Sequence, residues 1–153
     1  MKNFGQINNG SDVATKAYVD SFFGGYNTIT SLGNIPINKR NVIVSIPPDS
    51  KSQVLNLQEN LLIGGELFVY IKTETNNFNV MIPVTLGGYP VSYCGYYKSD
   101  HQTEYTIPLL YNITKQSGTQ DIITRTTVTL HIFFDGSMYY IDRFLANYNA
   151  NVN

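Results

Sequence analysis

The run from Ile122 to Phe134 constrains this chain more than any other stretch. Ile122, Thr124, Thr126, Val128, Leu130, Ile132 and Phe134 fall on one face, and Ile123, Arg125, Thr127, Thr129 and His131 on the other. A period of two sustained this long describes one extended strand with its apolar side inward. Such a strand must be paired on its edges and covered on one face. Asp135-Gly136 follows as a preferred two-residue hairpin turn, with Met138 to Phe144 returning from it. The polar tail from Asn147 to Asn153 is expected to fray.

The chain between Thr28 and Ile113 carries shorter strands of the same kind. Asn41–Ile46 is β-branched and stops at Pro47-Pro48-Asp49-Ser50, a strong turn signal. Val54–Leu57 alternates loosely and leads into the apolar Leu61-Leu62-Ile63, ended by Gly64-Gly65. Glu66–Lys72 and Phe78–Ile82 are expected to form a hairpin across Thr75-Asn76-Asn77. Pro83 and Pro90 bracket Gly87-Gly88, read as a loop or a bulged edge. Val91–Tyr97 is read as one aromatic strand, and Glu104–Ile107 and Leu109–Ile113 flank Pro108. Many short strands with turns between them, and no second helix pattern, predict a mainly β, antiparallel, jelly-roll-like sandwich over residues 27–153.

Composition excludes several classes of function. Of 153 residues, 42% are hydrophobic and 13% aromatic, as a folded β-rich chain requires. Only 14% are charged, the net charge is −1, and the 10 Lys and Arg are spread along the chain. That spread cannot assemble the basic patch that neutralises a phosphate backbone, so nucleic acid is not an expected partner. The single cysteine, Cys94, rules out an internal disulfide and reads as a half-buried strand thiol. Met1 to Gln6 has no apolar segment behind its charge, so no signal peptide is expected. The apolar runs are too short to cross a bilayer, and no membrane insertion is expected.

The one helix pattern lies near the N-terminus. Ser11 or Asp12 can cap it, Val13, Ala14, Ala17, Tyr18 and Phe22 recur at helical spacing, and Gly24-Gly25 stops it. A helix this short is marginal in water and needs a surface to pack on. Val13-Ala14-Thr15-Lys16-Ala17-Tyr18-Val19-Asp20 resembles the "DAATKAYVD" segment of tailed-bacteriophage fibre proteins. The resemblance covers about a dozen residues. In that family the segment lies near the attachment end of a trimer, ahead of shaft or knob domains. It implies that residues 1–26 attach and trimerise, with Val13, Ala14, Ala17, Tyr18 and Phe22 as anchoring residues. The implied partners are further copies of the chain and a capsid or baseplate protein, and the implied location is the virion.

Catalytic constellations are weakly represented. Ser99-Asp100-His101 are neighbours in sequence, but a Ser–His–Asp machine needs groups converging from different elements. His131 reads as a surface or inter-subunit histidine, since a metal would require further ligands. Glu59, Glu66, Glu74, Glu104, Asp121 and Asp142 are not paired by their spacing for glycoside cleavage. Neither an enzyme nor a cofactor is expected, and a small polysaccharide depolymerase using Glu or Asp is the least favoured of the three functional readings. The tyrosines are more suggestive. Tyr89, Tyr93, Tyr96, Tyr97, Tyr105 and Tyr111 crowd one part of the chain among Ser, Asn and Gln. Tyr93, Tyr96, Tyr97 and Tyr105 are candidate contacts for a host-surface glycan, because rigid amphipathic rings suit contact surfaces. Tyrosine suits strands and subunit interfaces equally well.

Overall fold

The computed structural model describes residues 15–16, 24–97, 102–114 and 121–152. Val13, Ala14, Ala17, Tyr18 and Phe22, and with them the predicted helix face, lie outside the described residues, as do Ser99, Asp100 and His101. Among the described residues the strands are β1 (Asn27–Ile29), β2 (Asn41–Ile46), β3 (Gln53–Val54), β4 (Glu66–Thr73), β5 (Phe78–Pro83) and β6 (Thr85–Leu86). Then follow β7 (Tyr89–Tyr93), β8 (Glu104–Leu109), β9 (Tyr111–Thr114), β10 (Asp121–Phe134) and β11 (Tyr139–Val152). The chain is mostly β-strand, in two sheets.

The larger sheet has the order β1-β2-β4-β10-β11-β7-β6, with β9 also on β10; the smaller has the order β3-β5-β8. β10 is the member that holds the larger sheet together. Its residues Val128 to Phe133 pair with β4, Ile122 to Arg125 pair with β9, and all fourteen pair with β11. Thr126, Val128, Leu130, Ile132 and Phe134 are buried, as the alternation predicts, while His131 stays half-exposed on the opposite face. One apolar cluster combines Val128, Leu130, Ile132 and Phe134 with Val42, Leu67, Val69 and Ile71 of the larger sheet and Phe78, Val80, Ile82 and Ile107 of the smaller.

Strand pairing corrects the antiparallel expectation. β1–β2, β2–β4, β3–β5 and β7–β11 are parallel, and the rest are antiparallel. The predicted hairpin between Glu66–Lys72 and Phe78–Ile82 is absent, because β4 belongs to the larger sheet and β5 to the smaller. The connection, Glu74 to Asn77, instead carries the chain from one sheet to the other, with Asn77 at φ 59. Both strands carry an apolar face, and periodicity alone does not say whether two such faces lie side by side or face each other. Pro108 lies inside β8 rather than between strands, which the edge position of β8 tolerates.

The return from β10 also departs from expectation. The loop spans four residues, since Phe134 and Tyr139 are the last opposed pair. Asp135 organises it, accepting from the backbone N–H groups of Ser137 and Met138 at 2.7 Å each, with Gly136 at φ 96. The expected frayed tail is strand. β11 continues to Val152 because β10 supplies a partner for each of its residues.

Tyr139 ties three segments to this sheet. Its ring is fully buried, stacked on Phe134 at 4.5 Å. Its hydroxyl donates to Asn60 Oδ1 at 2.8 Å and accepts from the Leu61 N–H at 3.0 Å. Asn60 Nδ2 in turn donates to the Gly87 carbonyl at 3.1 Å. Gly87 (φ 57) and Gly88 (φ 87) form the two-residue turn of the β6–β7 hairpin, and a Cβ on Gly87 would collide with Asn60 Oδ1. Tyr139→Phe should cost about 1–3 kcal/mol of folding stability in denaturant melts, because it leaves the Leu61 N–H unpaired. Gly87→Ala should also destabilise, and combining it with Tyr139→Phe should cost less than the sum, since both break one network.

Candidate functional site

The sequence nominates the tyrosine-rich segment, and the structure divides it into a floor and a tip. β7 ends at Tyr93, not Tyr97. Cys94 (φ 49) and Gly95 (φ 83) make a tight reversal in which the N–H groups of Tyr93 and Tyr96 each donate to the other's carbonyl at 2.8 Å. Two consecutive residues in the left-handed region define the hairpin turn whose twist matches its strands. Gly95 was legible as a turn residue; Cys94 in that conformation was not. Its thiol is exposed at the turn, which corrects the half-buried strand reading.

Tyr93 and Tyr105 form the floor. Each is 8% exposed, and their rings lie 4.8 Å apart. Tyr105 donates to the Tyr96 carbonyl at 3.4 Å, and the Arg143 guanidinium lies 5.9 Å from the Tyr93 ring centroid. Tyr96 and Tyr97 are the tip, 72% and 57% exposed. Of the four nominated contacts, these two are the exposed ones. Tyr89 packs its edge on Phe134 at 4.8 Å, and Tyr111 lies under the Arg125 guanidinium at 4.9 Å. Both therefore have packing roles.

Burial pushes the Tyr93 phenol up to about 12, partly opposed by the neighbouring Arg143 charge. Burial raises Tyr105 as well, followed by the proximity of Tyr97. In the loop between β10 and β11, the Ser137 and Met138 N–H groups hold the Asp135 carboxyl below the usual carboxylate range.

Two further arrangements involve residues that the sequence could not bring together. Glu66 accepts from the Arg40 guanidinium and lies 2.8 Å from His131 Nε2, with Phe68 beside both the guanidinium and the imidazole. His131 was readable as a surface histidine; its carboxylate partner comes from the neighbouring strand β4. Beside this cluster an open groove of about 480 Å³ is lined by Tyr26, Ile43, Phe68, Tyr70 and Thr129. Its walls are largely aromatic and β-branched, a surface for apolar contact rather than for proton transfer. Among the described residues no group of three or more His, Cys, Asp and Glu could hold a metal ion. No family model, curated protein or solved structure matches the chain.

The Tyr93 shift has a defined sign. The folded state holds the phenolic proton more tightly than the unfolded chain. That contribution to stability is complete below pH about 10 and is lost as pH rises through about 12. Tyr93→Phe should therefore resist alkaline unfolding to a higher pH than the parent. Its spectrophotometric titration should also lack the highest-pH phenolate step.

Proposed function

We propose that the chain is a structural component of a bacteriophage virion: a short homotrimeric fibre or decoration protein. Residues 1–26 attach it to capsid or baseplate, and residues 27–153 project outward as a jelly-roll-like β-sandwich. The resemblance of Val13 to Asp20 to phage fibre segments motivates this reading. The observation that carries it is the direction of the chain through the larger sheet. β1, β2 and β4 run one way, β10 returns, and β11 runs with the first three. Asn27 enters near the level of Leu130, whereas Val152 leaves at the level of Asp121, about 30 Å further along at the usual strand rise. An anchor preceding Asn27 would thus leave the far end of the β10–β11 ribbon free to point away.

A second reading, a glycan-binding module, is favoured by one observation: Tyr96 and Tyr97 are exposed on a tight turn above a buried tyrosine floor. A rigid aromatic tip loses little conformational entropy on contact. Both roles are compatible in one fibre.

The full chain should sediment as a trimer at micromolar concentration, and a monomer there overturns the trimeric reading. Ala17→Arg should weaken assembly by about tenfold or more, while leaving the melting profile of the β region unchanged. For the glycan role, binding to host polysaccharide should survive deletion of residues 1–26 and disappear in Tyr96→Ala. Binding that Tyr96→Ala leaves intact would remove the tip from consideration.

A further inference from the structure

The second half of β11 is paired by β10 along one edge. Among the described residues, only Tyr139, Tyr140 and Ile141 have a partner on the side facing β7. From Asp142 to Asn149 every residue is exposed. Alternation places Arg143, Leu145 and Asn147 on the core-facing side with Ile141, opposite Leu130, Val128 and Thr126. Those three partners are buried, yet Leu145 is 45% exposed while Val128 is fully covered. β8 approaches β10, and the exposure of Leu145 shows that such cover does not extend over this half of β11. The other side carries Asp142, Phe144, Ala146 and Tyr148, with Phe144 62% exposed and Tyr148 55% exposed.

A ribbon exposed on both faces, with Leu145 on one and Phe144 and Tyr148 on the other, is covered fully only by two neighbours, one for each face. We propose that β11 from Asp142 to Asn149 is a contact between copies of this chain. The Asp142, Phe144 and Tyr148 side of one copy packs on the Arg143 and Leu145 side of the next.

Charge selects this head-to-tail arrangement. Asp142 and Arg143 are adjacent in sequence and so point to opposite sides of the strand. Packing unlike sides brings the Asp142 of one copy towards the Arg143 of the next. Packing like sides would set Asp142 against Asp142, or Arg143 against Arg143, which is repulsive. Head-to-tail contacts generate closed rings or open filaments. Closure at three copies rests on the trimeric fibre reading above. Eight residues a side is well below the roughly 20–30 of a stable interface. The contact therefore adds to assembly without sustaining it alone.

The test uses the full chain, its mass followed by sedimentation equilibrium and its fold by thermal melting. Leu145→Asp and, on the opposite side, Phe144→Ser should each raise the dissociation constant about tenfold or more with the β region still folded. Asp142→Arg and Arg143→Asp should each weaken assembly, and the two together should restore it to within about threefold of the parent. A trimer whose dissociation constant none of these variants alters overturns the ribbon contact while leaving the trimeric fibre reading standing. A monomeric parent overturns both. Weakened single variants that the charge swap fails to rescue overturn the Asp142–Arg143 pairing. An open filament overturns the ring.

Discussion

Every part of the larger sheet depends on β10 being hydrogen-bonded along both edges. One edge is shared by β4 and β9, and the other is taken by β11 over the whole length of the strand. Buried backbone groups must find partners, so a fourteen-residue strand with a covered face dictates how much sheet forms around it. The five consecutive inward side chains from Thr126 to Phe134 then fix which face the smaller sheet covers. A one-residue slip of β10 would turn that apolar set to solvent.

The aromatic residues divide their work around this frame. Tyr139, Phe134 and Tyr89 form a packed group at the start of the β10–β11 ribbon, where the Tyr139 hydroxyl satisfies Asn60 and Leu61. Tyr93 and Tyr105 form a second group beside Arg143, and this group supports the Cys94-Gly95 turn. Tyr96 and Tyr97 project from that turn, and Phe144 and Tyr148 project from the ribbon beyond it. Exposed aromatic rings on rigid strands and tight turns are suited to contact with other surfaces. That property links the proposed virion role, the glycan alternative and the ribbon contact.

Much of the secondary structure was legible, and the reason is local. Strand β10 declares itself through side-chain alternation, Pro47-Pro48 through the loss of backbone donors, and Gly87-Gly88 through conformational freedom. The candidate site was half legible. Tyr96 and Tyr97 are where a contact surface could be, but Tyr93 and Tyr105 are buried in the same terms that made them candidates: large, flat and amphipathic. Nothing in the order Val91-Ser92-Tyr93-Cys94 signals that the strand ends at Tyr93, because cysteine seldom adopts the left-handed conformation found here. The Glu66–His131 pair joins residues far apart in sequence, and their meeting depends on β4 lying beside β10.

The sequence by itself determined that this chain is rich in strand, which face of β10 is buried, and where most turns fall. It did so because periodicity, proline and glycine act over a few residues. Only the tertiary structure decided which strands are neighbours, that several pairs are parallel, and that β4 and β5 belong to different sheets. It also decided that the polar end of the chain is strand, since a residue such as Asn149 gains its backbone partner from Thr124 and not from its own propensity. Pairing is a property of two segments at once. A pattern read along one segment names the face to be covered and leaves its partner open.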